Sequence, residues 1–114
     1  MIVGGRKYIQ MRQQPDIIAM SGYMFAVRVW QLQIAPMLTP DDYANGFTLV
    51  MPSHVELTTD SFLDHIIGTI AHNADLMGDF SKFKFYSENV HVQNDINKII
   101  VEYTNLLKQP VDNK

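Results

Sequence analysis

The spacing of apolar and polar residues predicts β-strands in the first half of the chain. Residues 6–12 place Ile9 and Met11 on one side of an extended segment and mostly polar residues on the other. Residues 23–35 are rich in aromatic and β-branched residues and are apolar on both sides, which is typical of a central strand. Because such a strand is unusually long, we expect it to contain a bulge or bend. Shorter extended segments are predicted at residues 17–20, 47–51, 54–57 and 82–86.

Helical spacing and capping residues predict three helices. A short helix is predicted to begin after Thr39, which serves as its cap, with Pro40 at the first position and two acids following. It ends at Asn45-Gly46. Residues 59–78 carry an apolar face along a long helix, and residues 94–108 carry a second apolar stripe. The polar face of the first long helix comprises Ser61, Asp64, His65, Gly68, His72 and Asp75.

Together these elements predict an α+β fold. The length of 114 residues fits one small domain, residues 1–114. We expect a mostly antiparallel sheet of about four strands, with two longer helices and one short helix packed on one face. Residues 1–5 and 109–114 are expected to be frayed.

Composition excludes several classes of protein. The chain has no cysteine, which excludes disulfides, thiolate zinc sites and cysteine catalysis. A hydrophobic fraction of 46% with 18% charged residues is typical of a globular protein and not of a disordered one. No apolar run is long enough for a signal peptide or a membrane span, so we expect a cytoplasmic protein without membrane contact.

Charge is segregated along the sequence. Residues 41–80 hold seven acids and no base, residues 1–40 hold four bases and one acid, and residues 81–114 hold five bases and four acids. A fold built from such a chain presents faces of opposite sign, which favours association with a partner or a second copy. The net charge of −3 disfavours general nucleic-acid binding.

The polar face of the first long helix is the first candidate site. His72 and Asp75 are spaced as a permissible ligand pair, but His65 and His72 are seven residues apart, about 10 Å along the axis, so one metal cannot bind both directly. The alternative is an ordinary solvated helix face, on which Asp64, His65, His72 and Asp75 meet a basic protein partner through charge. The sequence therefore predicts neither a metal nor a cofactor.

The second candidate is a strand in which lysines alternate with aromatic residues. Lys82, Lys84 and Tyr86 flank Phe83 and Phe85, and aromatic residues with interleaved bases can stack nucleobases and bind phosphates. The alternative is a plain strand with both phenylalanines in the core. Arg6, Tyr8 and Arg12 on the first strand would extend the nucleic-acid surface.

No catalytic motif stands above chance. Ser53-His54 and the pair Ser61 and His65 are the right residue types for nucleophilic catalysis, but no nucleophile elbow or ordered triad is present. The sequence predicts a small, self-associating protein–protein interaction or regulatory module without catalytic activity. The alternatives are a binder of single-stranded nucleic acid or an anionic ligand, and a small enzyme or metal-binding protein that uses His65, His72 and Asp75.

Overall fold

The structure, a computed structural model, describes residues 2–3, 5–73, 75 and 79–108. Positions 109–114, for which we predicted fraying, lie outside the described residues, as do Met1 and Gly4. The strands are β1 (Ile2–Val3), β2 (Arg6–Gln10), β3 (Ala19–Met20), β4 (Phe47–Val50), β5 (Leu57–Thr58) and β6 (Lys84–Tyr86). The α-helices are α1 (Tyr23–Val29), α2 (Pro40–Asn45), α3 (Asp60–His72) and α4 (Val90–Lys108). A π-helix (Trp30–Ile34) and 3₁₀ turns (Ala35–Met37 and Phe80–Lys82) complete the described elements.

The predicted antiparallel sheet is wrong. The main sheet has the order β1-β2-β4-β6, and β2, β4 and β6 pair parallel. Among the described strands, only the two-residue β1 runs antiparallel to its neighbour, and the small second sheet pairs β3 with β5 in parallel. The reason is the connections: α1, the π-helix and α2 separate β2 from β4, and α3 separates β4 from β6. Such crossovers return the chain to the same direction. The class remains α+β.

The central strand predicted at residues 23–35 is also wrong, because this segment is helical. It forms α1 and the π-helix, and its buried side chains, Ala26, Val29 and Ile34, follow helical spacing. Met24 and Leu32 are 72% and 73% exposed. The solvent-facing positions of a helix are normally polar, and this polarity is what makes the helix recognisable in a sequence. Here apolar residues occupy those positions, so the pattern resembled a strand that is apolar on both sides.

Side-chain caps begin the other helices, and the sequence predicted the one at Thr39. Thr39 and Asp42 form a capping box at the start of α2. Thr59 caps α3, which ends at His72; of the remaining predicted positions, 74 and 76–78 lie outside the described residues. Helix α4 begins four residues earlier than predicted, since the Asn89 side chain accepts hydrogen bonds from the backbone N–H groups of its first turn.

One face of the main sheet and the helices share a cluster of buried side chains. Ile9, Leu49 and Phe85 lie in one row across β2, β4 and β6, and each is less than 5% exposed. Ile66 and Ile96 contribute from α3 and α4. None of the described helices combines the length and the apolar character that crossing a bilayer requires. The opposite face of the sheet carries the candidate site.

Candidate functional site

The second face of the main sheet gathers polar and aromatic side chains from three strands. The register places Tyr8, Thr48 and Lys84 in one row, and Gln10, Val50 and Tyr86 in the next. Because successive side chains on a strand point to opposite faces, all six lie opposite the buried row. Gln10, Lys84 and Tyr86 are exposed, and Tyr8 and Val50 are half-buried. We call this surface the open face.

A groove of about 540 Å³ lies at one side of the open face. Its floor comes from the sheet, and its wall comes from the π-helix and the 3₁₀ turn that follows it. Leu32, Met37 and Tyr86 are 73%, 45% and 52% exposed there. We call it the sheet groove; its main lining residues are Tyr8, Leu32, Pro36, Met37, Val50 and Tyr86.

Hydrogen bonds from side chains fix the wall of the sheet groove. The Gln33 carboxamide accepts from the Arg12 backbone N–H at 2.7 Å and donates to the Arg12 carbonyl at 3.1 Å. Lys7 Nζ donates to the Met37 carbonyl at 2.6 Å and forms an ion pair with Asp42 at 2.9 Å. The wall is therefore attached to β2 at Lys7 and to the segment that follows β2 at Arg12.

Basic residues surround the open face, but two of them have structural partners. Arg6 donates to the Lys82 carbonyl, and Lys82 Nζ donates to the Ala44 carbonyl at 3.0 Å, near the end of α2. Arg12 and Lys84 are exposed. Of the predicted nucleic-acid residues, the structure thus brings Tyr8, Lys84 and Tyr86 onto one face and places Arg12 at the sheet groove.

The residues predicted on the polar face of α3 are in part engaged within the chain. Asp64 accepts a hydrogen bond from the Tyr103 hydroxyl at 2.8 Å. Burial of the phenol, that hydrogen bond and the nearby negative charges raise the pKa of Tyr103 to about 12. The half-buried His65 ring contacts Tyr23 edge-on, with centroids 4.9 Å apart. His72 is exposed on α3.

Asp75 lies apart from the Asp64 contact. It is exposed and lines a groove together with Asp79, Thr104 and Leu107. In the part of the chain that the structure describes, no three or more His, Asp or Glu side chains are grouped so that they could hold a metal ion. The partner-binding role of the α3 face stays a prediction.

Sequence reasoning missed a polar concavity at the carboxyl ends of the parallel strands. Arg12, Ser53, His54 and Glu88 line it from three segments that are distant in sequence. His54 Nε2 lies 2.9 Å from the Gln14 carbonyl, so this nitrogen carries the proton and donates. Ligands of parallel sheets commonly bind at this end. The sequence did not reveal this concavity, because neighbouring strands of the predicted antiparallel sheet would end at opposite edges.

Leu32 and Met37 were missed for a related reason. A strand at residues 23–35 would have buried Leu32 in the sheet, whereas the π-helix presents it to solvent.

Comparison of the chain with protein-family models, curated proteins and solved structures finds no match.

Proposed function

We propose that the protein is a protein–protein interaction module without catalytic activity, and that it self-associates through the sheet groove. One observation carries the proposal: Leu32, Met37 and Tyr86 surround a single groove while remaining about half exposed or more. Apolar side chains grouped in this way and rimmed by polar residues typically mark an interaction site. The lack of cysteine supports a cytoplasmic location.

The fixed wall of the groove supports the proposal. Because Lys7 of β2 and the Arg12 backbone after β2 already hold the wall in place, a partner would have little ordering to impose when it binds. π-Helical turns are rare and occur frequently at functional sites, and this one places Leu32 at the rim.

Charge permits a symmetric contact between two copies. A two-fold contact sets the same patch of each copy against the other. Among the described residues that line the sheet groove, Arg12 is the one that carries a charge. Two copies therefore meet mainly through apolar and amide side chains. A basic partner for Asp64 and His72 on α3 stays a separate prediction.

Sedimentation velocity with two matched variants tests the proposal. Leu32 and Met24 are 73% and 72% exposed, but only Leu32 lines the sheet groove. We expect wild-type protein to show a concentration-dependent mass and Leu32→Ser to weaken association about tenfold, equivalent to about 1.4 kcal/mol. Met24→Ser should associate like the wild type. A monomeric wild type from micromolar to millimolar concentration, or equal losses in both variants, contradicts the proposal.

The strand register favours a second candidate function, which is binding of single-stranded nucleic acid on the open face. Tyr8 and Tyr86 offer rings for stacking, and Lys84 between their rows offers a cation. Fluorescence anisotropy with labelled oligothymidine at low salt measures it. We expect Tyr86→Ala to weaken binding and Lys84→Gln to lower the salt slope by about one. No binding by the wild type at about 50 mM salt removes this candidate.

A further inference from the structure

Strand β6 is the edge strand of the main sheet among the residues that the structure describes, and its outer side faces α4. The Tyr86 carbonyl points inward, since it accepts from the Met51 backbone N–H of the chain segment following β4 at 2.8 Å. The neighbouring Phe85 carbonyl and Ser87 N–H point outward, because both bond to a side chain of α4. An edge of this kind is a template on which a further strand can pair.

A single side chain occupies the position of that further strand. Gln93 Nε2 donates to the Phe85 carbonyl at 3.0 Å, and Gln93 Oε1 accepts from the Ser87 N–H at 2.7 Å. A residue of an added strand would make the same pair of bonds with its own backbone N–H and C=O. Gln93 Nε2 also donates to Asn97 Oδ1 at 3.0 Å, so the carboxamide keeps a partner on α4 if it leaves the strand.

An open groove of about 610 Å³ lies between β6 and α4, beside the Gln93 side chain. Phe80 and Phe83 line it from the strand side, and Asn97, Ile100 and Thr104 line it from α4. The volume falls within the range of about 300–1,000 Å³ that is usual for ligand sites. An extended segment in this groove would pair with β6 on one side and would meet amide and hydroxyl groups of α4 on the other.

We propose that this edge groove is a strand-addition site, in which an extended segment of a protein partner displaces the Gln93 carboxamide and pairs with Phe85 and Ser87. Lys84 is the one charged residue among the described lining residues, so it selects an acidic partner segment. Phe80, Phe83 and Ile100 select apolar side chains at alternate positions. Proline is excluded at positions whose backbone N–H must donate.

Selection of random linear peptides displayed on phage, with full-length Gln93→Ala as bait, tests the site. We expect enriched peptides to be acidic, free of proline at alternate positions and apolar between them. A synthetic peptide with an enriched sequence should bind the Gln93→Ala variant about tenfold more tightly than the wild type. The reason is that the Gln93 carboxamide no longer competes for the Phe85 carbonyl and the Ser87 N–H. The peptide should also shift the backbone amide NMR signals of Phe85 and Ser87.

Three controls make the result specific. Gln33→Ala removes a carboxamide that bonds the Arg12 backbone and does not line the edge groove, so this variant should bind the peptide like the wild type. Leu32→Ser should also leave peptide binding unchanged, so failure of the sheet-groove proposal and failure of this one are distinguishable. A peptide methylated on the backbone nitrogens that face β6 should not bind.

The proposal is overturned if no peptide is enriched, if enriched peptides bind wild type and Gln93→Ala equally, or if the Phe85 and Ser87 signals stay unmoved. Should Gln93→Ala fail to fold, Gln93→Met serves as bait. It keeps the length of the side chain, can neither accept from the Ser87 N–H nor donate to the Phe85 carbonyl, and adds no negative charge, so the same outcomes apply.

Discussion

Gly68 lies where Tyr103 of α4 packs against α3, and its replacement with alanine has two effects of opposite sign on stability. A Cβ atom built on Gly68 lies 2.6 Å from Tyr103 Oη and 3.0 Å from Tyr103 Cζ. Both separations are shorter than van der Waals contact, so the ring must rotate away. Rotation breaks the hydrogen bond of 2.8 Å from the Tyr103 hydroxyl to Asp64.

The sizes of these two effects decide whether Gly68→Ala raises or lowers the free energy of unfolding. Alanine in place of glycine inside a helix stabilises by about 1 kcal/mol. A hydrogen bond to a charged acceptor contributes about 1.5–3 kcal/mol, and the exposure of Asp64 places this one at the lower end. With the ring contacts that are lost as well, the cost is about 2 kcal/mol. We therefore expect Gly68→Ala to lower the free energy of unfolding by about 1 kcal/mol.

A double-mutant cycle read by urea denaturation tests this reasoning. With Tyr103→Ala as the background, nothing obstructs the new methyl group, so Gly68→Ala should stabilise by about 1 kcal/mol. The coupling energy between the two sites is then about 2 kcal/mol. Ultraviolet titration adds an independent measure, since displacement of the ring should bring the pKa of Tyr103 down from about 12. The same sign in both backgrounds refutes the argument.

Further predictions concern packing and pH. Ile96 is fully buried and Ile100 half-buried, so Ile96→Ala should cost about 2–5 kcal/mol and Ile100→Ala clearly less in chemical denaturation; equal costs would contradict the packing of α4. Tyr103 has a pKa raised to about 12, so its contribution to stability is complete below its unfolded pKa of about 10 and is lost between pH 10 and 12. Tyr103→Phe should remove that loss in thermal unfolding across this range. Burial raises the pKa of Asp42, but hydrogen bonds from Lys7 and Thr39 outweigh it and hold the pKa below the ordinary value. The stability from Asp42 is present above pH 4 and is lost as the pH falls further, and an unchanged acid transition in Asp42→Asn would contradict this.

Local signals predicted the helices that carry their own start and stop residues. Thr39 caps α2 as predicted, and α3 begins at Asp60, within one residue of the predicted start. The segment 23–35 misled because its exposed positions hold Met24 and Leu32. Their exposure depends on the surroundings and not on local preference, so no periodicity within the segment reveals it.

Strand direction and the candidate site share one cause of failure. Whether β2 and β4 run parallel depends on the helical crossover between them, and residues 23–35 of that crossover were predicted as a strand. The gathering of Tyr8, Lys84 and Tyr86 depends on register between segments roughly forty residues apart or more. The sequence alone predicted which residues could bind nucleic acid. Their arrangement on one face could not be predicted without knowing how β2, β4 and β6 pair.

The parallel sheet has a consequence for how the chain folds. Tyr8 pairs with Thr48, and Thr48 pairs with Lys84, so each pairing of the three parallel strands closes a loop of roughly forty residues. Closing such a loop lowers the entropy of the chain before the contacts between the strands stabilise it, and this slows folding. During synthesis β2 leaves the ribosome long before β4 exists, and β4 stays open on one side until residue 86 has emerged. The complete sheet is therefore a late structure, because its last parallel strand, β6, follows α3 in the chain.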